Sequence, residues 1–166
     1  MVNDFVQTVD GLKADIRDFL ISPNRWRTSR VQGPLSWCTV KFEAGNQSQI
    51  PLQRGIYAFT VMHANDHFPP HGYIMYIGIT GEEALHRTLN DRFYEYLKEQ
   101  RRNKRPKVHY MLAKYSDDLF FNYVPIADDT FDLGQLEADL NDAIIPPVVE
   151  KDFSAEVRAV VKAFRS

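Results

Sequence analysis

Tyrosine hydroxyls, an arginine and a carboxylate occur in this chain where secondary structure can gather them. Gly55-Ile56-Tyr57 and Tyr76-Ile77-Gly78 each lie in a run of aromatic and β-branched residues that reads as a strand. Residues two apart on a strand share a face. Gly55, Tyr57 and Phe59 therefore point one way, and Tyr76 and Gly78 lie opposite Met75, Ile77 and Ile79. An antiparallel pairing can set Tyr57 beside Tyr76, two phenols on a surface that the glycines leave open. Arg92 and Tyr96 stand one helical turn apart and can reach the same phosphate. Arginine suits that task because its planar fork stays charged and binds two oxygens at once. Glu137, on a separate helix, offers a hard anionic oxygen, and a magnesium site takes only one or two protein carboxylates. Phosphodiester hydrolysis asks for an activated water, a cation on the phosphoryl oxygens, help for the leaving group and placement. These residues can be matched to those needs.

The elements that must position them follow from periodicity. Ile56–Met62 and Tyr73–Ile79 are strands. Between them His63–Gly72 is a loop, because Pro69-Pro70 cannot join a central ladder. A helix is expected from Glu83 to about Gln100, with Leu85, Leu89, Phe93 and Leu97 along one stripe. Val108–Tyr115 reads as helical and Leu119–Ile126 as a third core strand. A helix runs from Leu133 to Ile144, with Asp132 and Gln135 as a capping box and Pro146-Pro147 ending it. In the first fifty residues Phe5, Val9, Leu12, Ile16, Phe19 and Leu20 recur at helical spacing, with Asn3 or Asp4 as cap and Pro23 as stop. A strand from Trp37 to Glu43 follows, holding Cys38 as a small apolar residue. A last helix from Ser154 to Phe164 packs through Val157, Val160, Val161 and Phe164. The expected fold is α/β: a small mixed or antiparallel three-stranded sheet flanked by helices, with an N-terminal helix and strand extension. Residues 1–50 form the extension packed on the core, 51–150 the central domain and 151–166 a C-terminal helix.

Composition bounds the function without choosing it. A chain of 166 residues with 44% apolar and 25% charged residues is an ordinary globular domain. Its formal net charge of −2 supplies no global pull toward nucleic acid, so any such site is a local patch. The single cysteine excludes an internal disulfide and a cysteine-based zinc cluster. No apolar run spans a membrane and no signal-peptide pattern opens the chain, so a cytoplasmic location is expected.

The order GIY at 55–57, YIG at 76–78, then Arg92 and Glu137 resembles the GIY-YIG nuclease superfamily over roughly residues 50–150. The resemblance implies a divalent-metal-dependent endonuclease acting on DNA, with Mg²⁺ or Mn²⁺ as cofactor. By that resemblance Tyr57 positions or deprotonates the water and Tyr76 supports it. Arg92 holds the scissile phosphate with Tyr96 in support, and Glu137 ligates the metal. The chain departs from the family pattern in several places. The loop between the tripeptides is enlarged, which costs little entropy. Ile79 stands where many members carry lysine, and Arg92 lies further beyond Gly78 than is common. Val148, Val149 and Glu150 follow the prolines where the family often has an asparagine. Losing a phosphate-contacting amide there supports a rival expectation, a nucleic-acid- or protein-binding module that does not cut.

Other features carry weaker signals. Lys98, Arg101, Arg102, Lys104, Arg105 and Lys107 form the densest basic run, suited to neutralising phosphates and equally to complementing a helix C-terminus. Arg25, Trp26, Arg27 and Arg30 form a smaller version, in which Trp26 either stacks on a base or anchors its loop. His63, His67 and His71 have helical metal-site spacing, but the double proline argues against a helix. Asp128, Asp129 and Asp132 could recruit a second metal, but helix entry and capping explain them more simply.

Overall fold

The computed structural model describes residues 2–165 except 32, 64–67, 70 and 83–85. In chain order the elements are α1 (Val2–Ala14), α2 (Pro23–Arg27), β1 (Cys38–Lys41), a 3-10 helix (Ala44–Gln49), β2 (Gly55–Met62) and β3 (Gly72–Thr80). They continue with α3 (Leu89–Arg102), α4 (Pro106–Lys114), β4 (Leu119–Pro125), α5 (Leu133–Ile144) and α6 (Ala155–Phe164). Leu85 and His67, expected in a helix stripe and a loop, lie outside the described residues.

The sheet is antiparallel throughout and has four strands in the order β1-β4-β2-β3. Three were expected. The fourth is β1, the strand read around Cys38, which pairs with β4 through Cys38↔Tyr123 and Lys41↔Phe120. As an edge strand it leaves Cys38 exposed rather than packed as a small apolar residue. β2 lies between β3 and β4, so the strand carrying Tyr57 is central and the strand carrying Tyr76 is an edge.

Each face of the sheet has its own cluster. On one, Tyr57, Phe59, Tyr76 and Phe121 pack against Leu89, Phe93 and Tyr96 of α3 and Met111 and Leu112 of α4. On the other, Ile56, Ala58, Ile77 and Val124 pack against Leu136, with Leu140 and Ile144 alongside, so α5 covers this face. The alternation in β3 is broken once. Phe59 pairs with Tyr76 but Thr60 pairs with Ile74, a bulge that leaves Met75 as the extra residue. Met75 thereby joins the tyrosine cluster, although simple alternation put it on the opposite face. Its carbonyl accepts the Val148 amide at 3.1 Å, which ties the stretch after α5 to the sheet edge.

The flanking segments share the core to different degrees. Phe42 and Ile50 from the first fifty residues, and Phe153 and Val161 from the last sixteen, belong to the tyrosine cluster. α1 begins at Val2, so Asn3 and Asp4 lie within it rather than cap it, and it ends at Ala14. Its apolar residues Phe5 and Leu12 are exposed, as is Ile16 just beyond it. The extension is fastened instead by Asp15 to Lys114 at 2.6 Å, Arg17 to the Tyr110 hydroxyl at 2.6 Å and Phe19 against Tyr73. Trp26 is exposed; its neighbour Arg25 anchors α2 by donating to the Asp142 carbonyl. In α6 Val161 is buried, whereas Val160 and Phe164 face outward.

α3 starts at Leu89, later than the stripe suggested, because Thr88 caps it. The Thr88 hydroxyl accepts from the Asp91 amide and Asp91 Oδ2 accepts from the Thr88 amide, a complete capping box. For α5 only half of the expected box forms. Asp132 accepts from the Gln135 amide, while the Gln135 side chain turns to Asp139. Thr88→Ala is expected to cost about 1 kcal/mol in chemical denaturation. The Thr88 amide and hydroxyl hold the Asp91 carboxyl below the usual carboxylate range. Asp91 thus stabilises the fold above its unfolded pKa and loses that contribution as pH falls through the lowered folded value. Asp91→Asn should flatten this acid-side slope, and an unchanged slope would show the box is not formed.

Candidate functional site

The sheet register sets Tyr57 opposite Gly78, with Tyr76 on the diagonal. The two tyrosine rings lie 6.3 Å apart at 29°. The surface expected to stand open beside the glycines is filled by Tyr57 itself. A Cβ on Gly78 would sit 2.5 Å from the Tyr57 hydroxyl and 2.9 Å from the Tyr76 ring. Gly55 likewise serves packing, because a Cβ there would meet the Val124 carbonyl oxygen at 2.2 Å. Tyr57 is wholly buried, and so is Tyr96.

A buried phenol needs partners. The Tyr57 hydroxyl lies 3.0 Å from the Tyr96 hydroxyl and accepts from Arg92 Nε at 3.1 Å. With Nε donating in, the Tyr57 proton can be given to Tyr96. Arg92 also packs over both rings, 5.7 Å from the centroid of Tyr57 and 5.5 Å from that of Tyr96. Its Nη1 donates to Glu95 at 3.1 Å, and Glu95 in turn pairs with Arg87. Tyr76 joins the same group edge-to-face, 6.2 Å from Tyr96. Four expected site residues, Tyr57, Tyr76, Arg92 and Tyr96, therefore meet on one face of the sheet.

The electrostatics follow from burial. Desolvation, with Tyr96 beside it, pushes the Tyr57 phenol well above the ordinary tyrosine range, and the same causes push Tyr76 up. Both are neutral hydrogen-bonding groups near pH 7, which suits Tyr57 to positioning a neighbour rather than to taking a proton. Burial works against the charge on Arg92, but the Glu95 carboxylate and the Tyr57 hydroxyl that accepts from Nε hold the guanidinium charged.

Two clefts open beside this cluster and share Lys104 and Arg105. One is bordered by Arg87, Arg92, Glu95, Lys98 and Arg102. The other has Tyr76 at its wall, with Lys107, Val148, Glu150 and Asp152. The basic run thus spans the end of α3, the turn and the start of α4. Asn103 makes that turn in a left-handed conformation, φ 49°. Within the run Lys98 lies over the Tyr94 ring, Lys107 pairs with Glu150 at 2.6 Å, and Arg101 and Arg102 are exposed in the last turn of α3.

Glu137 is placed differently. It is half-buried on α5, the helix that covers the face opposite the phenols. One turn further along the same helix, Asn141 is fully buried with both side-chain polar atoms unpaired. Glu137 does not join Tyr57, Tyr76, Arg92 and Tyr96, because its helix packs on the other face of the sheet. Among the described residues, no three His, Cys, Asp or Glu side chains group as metal ligands. Of the histidines, His63 faces Asp118 at 3.4 Å and His71 faces the Pro69 carbonyl. Asp128 accepts from Thr130, and Asp132 caps α5.

Several participants escaped the sequence reading. Glu95 was legible as an i+3 partner of Arg92. Glu99 and Asp152 were not, since their roles depend on the α3–α4 turn and on the path of the chain after α5. Comparison with protein-family models, with curated proteins and with solved structures finds no match for this chain. No described helix is long and apolar enough to cross a membrane.

Gly78→Ala is expected to destabilise the fold by about 1–3 kcal/mol, because the methyl group meets the Tyr57 and Tyr76 rings. Urea unfolding should report a lower midpoint with an unchanged slope. A midpoint equal to wild type would mean that Tyr57 does not lie beneath β3.

Proposed function

We propose that this protein is a divalent-metal-dependent endonuclease of the GIY-YIG type that hydrolyses phosphodiester bonds of DNA. The observation that carries the reading is Arg92, charged and held by Tyr57 beside Tyr96 at the border of a cationic cleft. A guanidinium whose Nε and one Nη are already fixed is aimed rather than free. Its remaining edge suits a phosphate oxygen. The neighbouring cations Lys98, Arg102 and Lys104 suit the phosphates on either side. Tyr76 borders the adjoining cleft and would orient water or a leaving oxygen as a neutral phenol. Magnesium or manganese would supply Lewis-acid stabilisation of the phosphoryl oxygens. By the resemblance Glu137 is the residue that would hold it, although its helix covers the other face of the sheet.

A second reading, a module that binds nucleic acid or protein without cutting it, is favoured by one observation. The helix bearing Glu137 covers the opposite face of the sheet from the phenols.

The test is nicking or linearisation of supercoiled plasmid in Mg²⁺ or Mn²⁺. Wild type is expected to cut, whereas Glu137→Ala, Arg92→Lys and chelator each lower the rate by at least about a hundredfold. Wild type that binds DNA but leaves the plasmid intact with either metal supports the binding module. Cutting that survives Glu137→Ala rejects Glu137 as the metal ligand.

A further inference from the structure

We propose that Arg105 is the second arginine of the tyrosine–arginine site, closing with Arg92 on one nucleic-acid phosphate across the ring of Tyr96. The inference rests on the reading that the site takes nucleic acid, and it requires no cleavage. The Arg105 guanidinium carbon lies 4.9 Å from the Tyr96 centroid, and that of Arg92 lies 5.5 Å from it. Both residues border the same cleft, and Arg105 alone of the two also borders the cleft of Tyr76 and Asp152.

Two features separate Arg105 from the exposed cations around it. First, its backbone is fixed: the Arg105 amide donates to Glu99 Oε1 at 2.7 Å, and Glu99 is itself buried. Pro106, which opens α4, restricts the same backbone. Second, the side chain is half-buried against a phenol ring, whereas Arg101 and Arg102 stand in solvent. Like the exposed cations, and unlike Arg92 with Glu95 and Lys107 with Glu150, Arg105 has no carboxylate ion-pair partner among the described residues.

Two guanidiniums against one ring repel each other. Burial, and to a smaller extent Arg92, work against the charge on Arg105, while Tyr96 supports it and the net direction is upward. An anion between the two forks relieves that repulsion and accepts from both. Phosphate fits because it offers several oxygens to two planar donors. Lys98, Arg102 and Lys104 along the same cleft favour a chain of phosphates over a single small anion. The arrangement calls for fixed fork geometry at Arg105, which lysine cannot supply.

The test is fluorescence anisotropy of a short labelled DNA duplex, titrated between about 50 and 200 mM salt. Arg105→Ala and Arg105→Lys are both expected to weaken binding about tenfold or more at the lower salt, with unchanged thermal midpoints. Lys41→Arg, on the edge strand β1 and outside both clefts, should bind like wild type. Arg92→Lys combined with Arg105→Ala should lose clearly less than the product of the two single losses, because one phosphate is shared. Restored binding in Arg105→Lys, or strictly multiplicative losses, would overturn the clamp. Wild type that fails to bind duplex at the lower salt would overturn the clamp and the nucleic-acid reading together. Coupled losses in a protein that cuts nothing would uphold the clamp and remove only the hydrolytic reading.

Discussion

The hydroxyl of Tyr57 has to be hydrogen-bonded where no water reaches it. An unpaired buried hydroxyl costs about 1–3 kcal/mol, comparable to a large part of a small domain's net stability. The fold meets this demand with Tyr96 at 3.0 Å and Arg92 Nε at 3.1 Å, both from α3. The requirement fixes the rotation of α3 over the sheet and brings a guanidinium into a partly buried place that it would otherwise avoid. Holding that charge calls in turn for Glu95, and Glu95 draws in Arg87. A structural need in the core thus sets the aim of the group that faces the cleft.

The cleft walls depend on less local devices. The bulge at Met75 turns a carbonyl outward to receive Val148, and this lays the segment after α5 along the edge of β3. Ile145 leaves α5 in a left-handed conformation, φ 51°, and Arg165 from beyond α6 donates to the carbonyls of Ile145, Pro146 and Val149. The C-terminal end of the chain therefore braces the stretch that ends in Glu150 and Asp152. On the other wall, Glu99 accepts from the Arg105 amide at the start of α4, where the helix dipole also favours a carboxylate.

Much of the fold was legible because periodicity carried it. α5 spans Leu133–Ile144 as its stripe and Asp132 indicated, and β2, β3 and β4 follow their aromatic and β-branched runs. The convergence of Tyr57, Tyr76, Arg92 and Tyr96 was also readable, since strand alternation and a four-residue helical step dictate shared faces. What failed to read depends on tertiary context. Nothing local marks Met75 as a bulge, Gly78 as the space for a phenol, or Cys38 as an edge position. The apolar spacing of Phe5 and Leu12 predicted a packed helix, but periodicity reports amphipathicity and not whether a partner surface exists. Glu137 lay on the expected helix; which face of the sheet that helix covers follows from the strand order and from Leu136, Leu140 and Ile144.

On the proposed reading the phenol-held arginines form a built anion site rather than a diffuse cationic surface. Nitrogen-edited NMR of the arginine side chains during titration with a DNA duplex tests it most directly. The free protein should show a slowly exchanging Nε–H for Arg92, lost in Tyr57→Phe. Saturating duplex should shift Arg92 and Arg105 together along one binding curve. Shifts confined to Arg101 and Arg102, with Arg92 and Arg105 unmoved, would contradict the account.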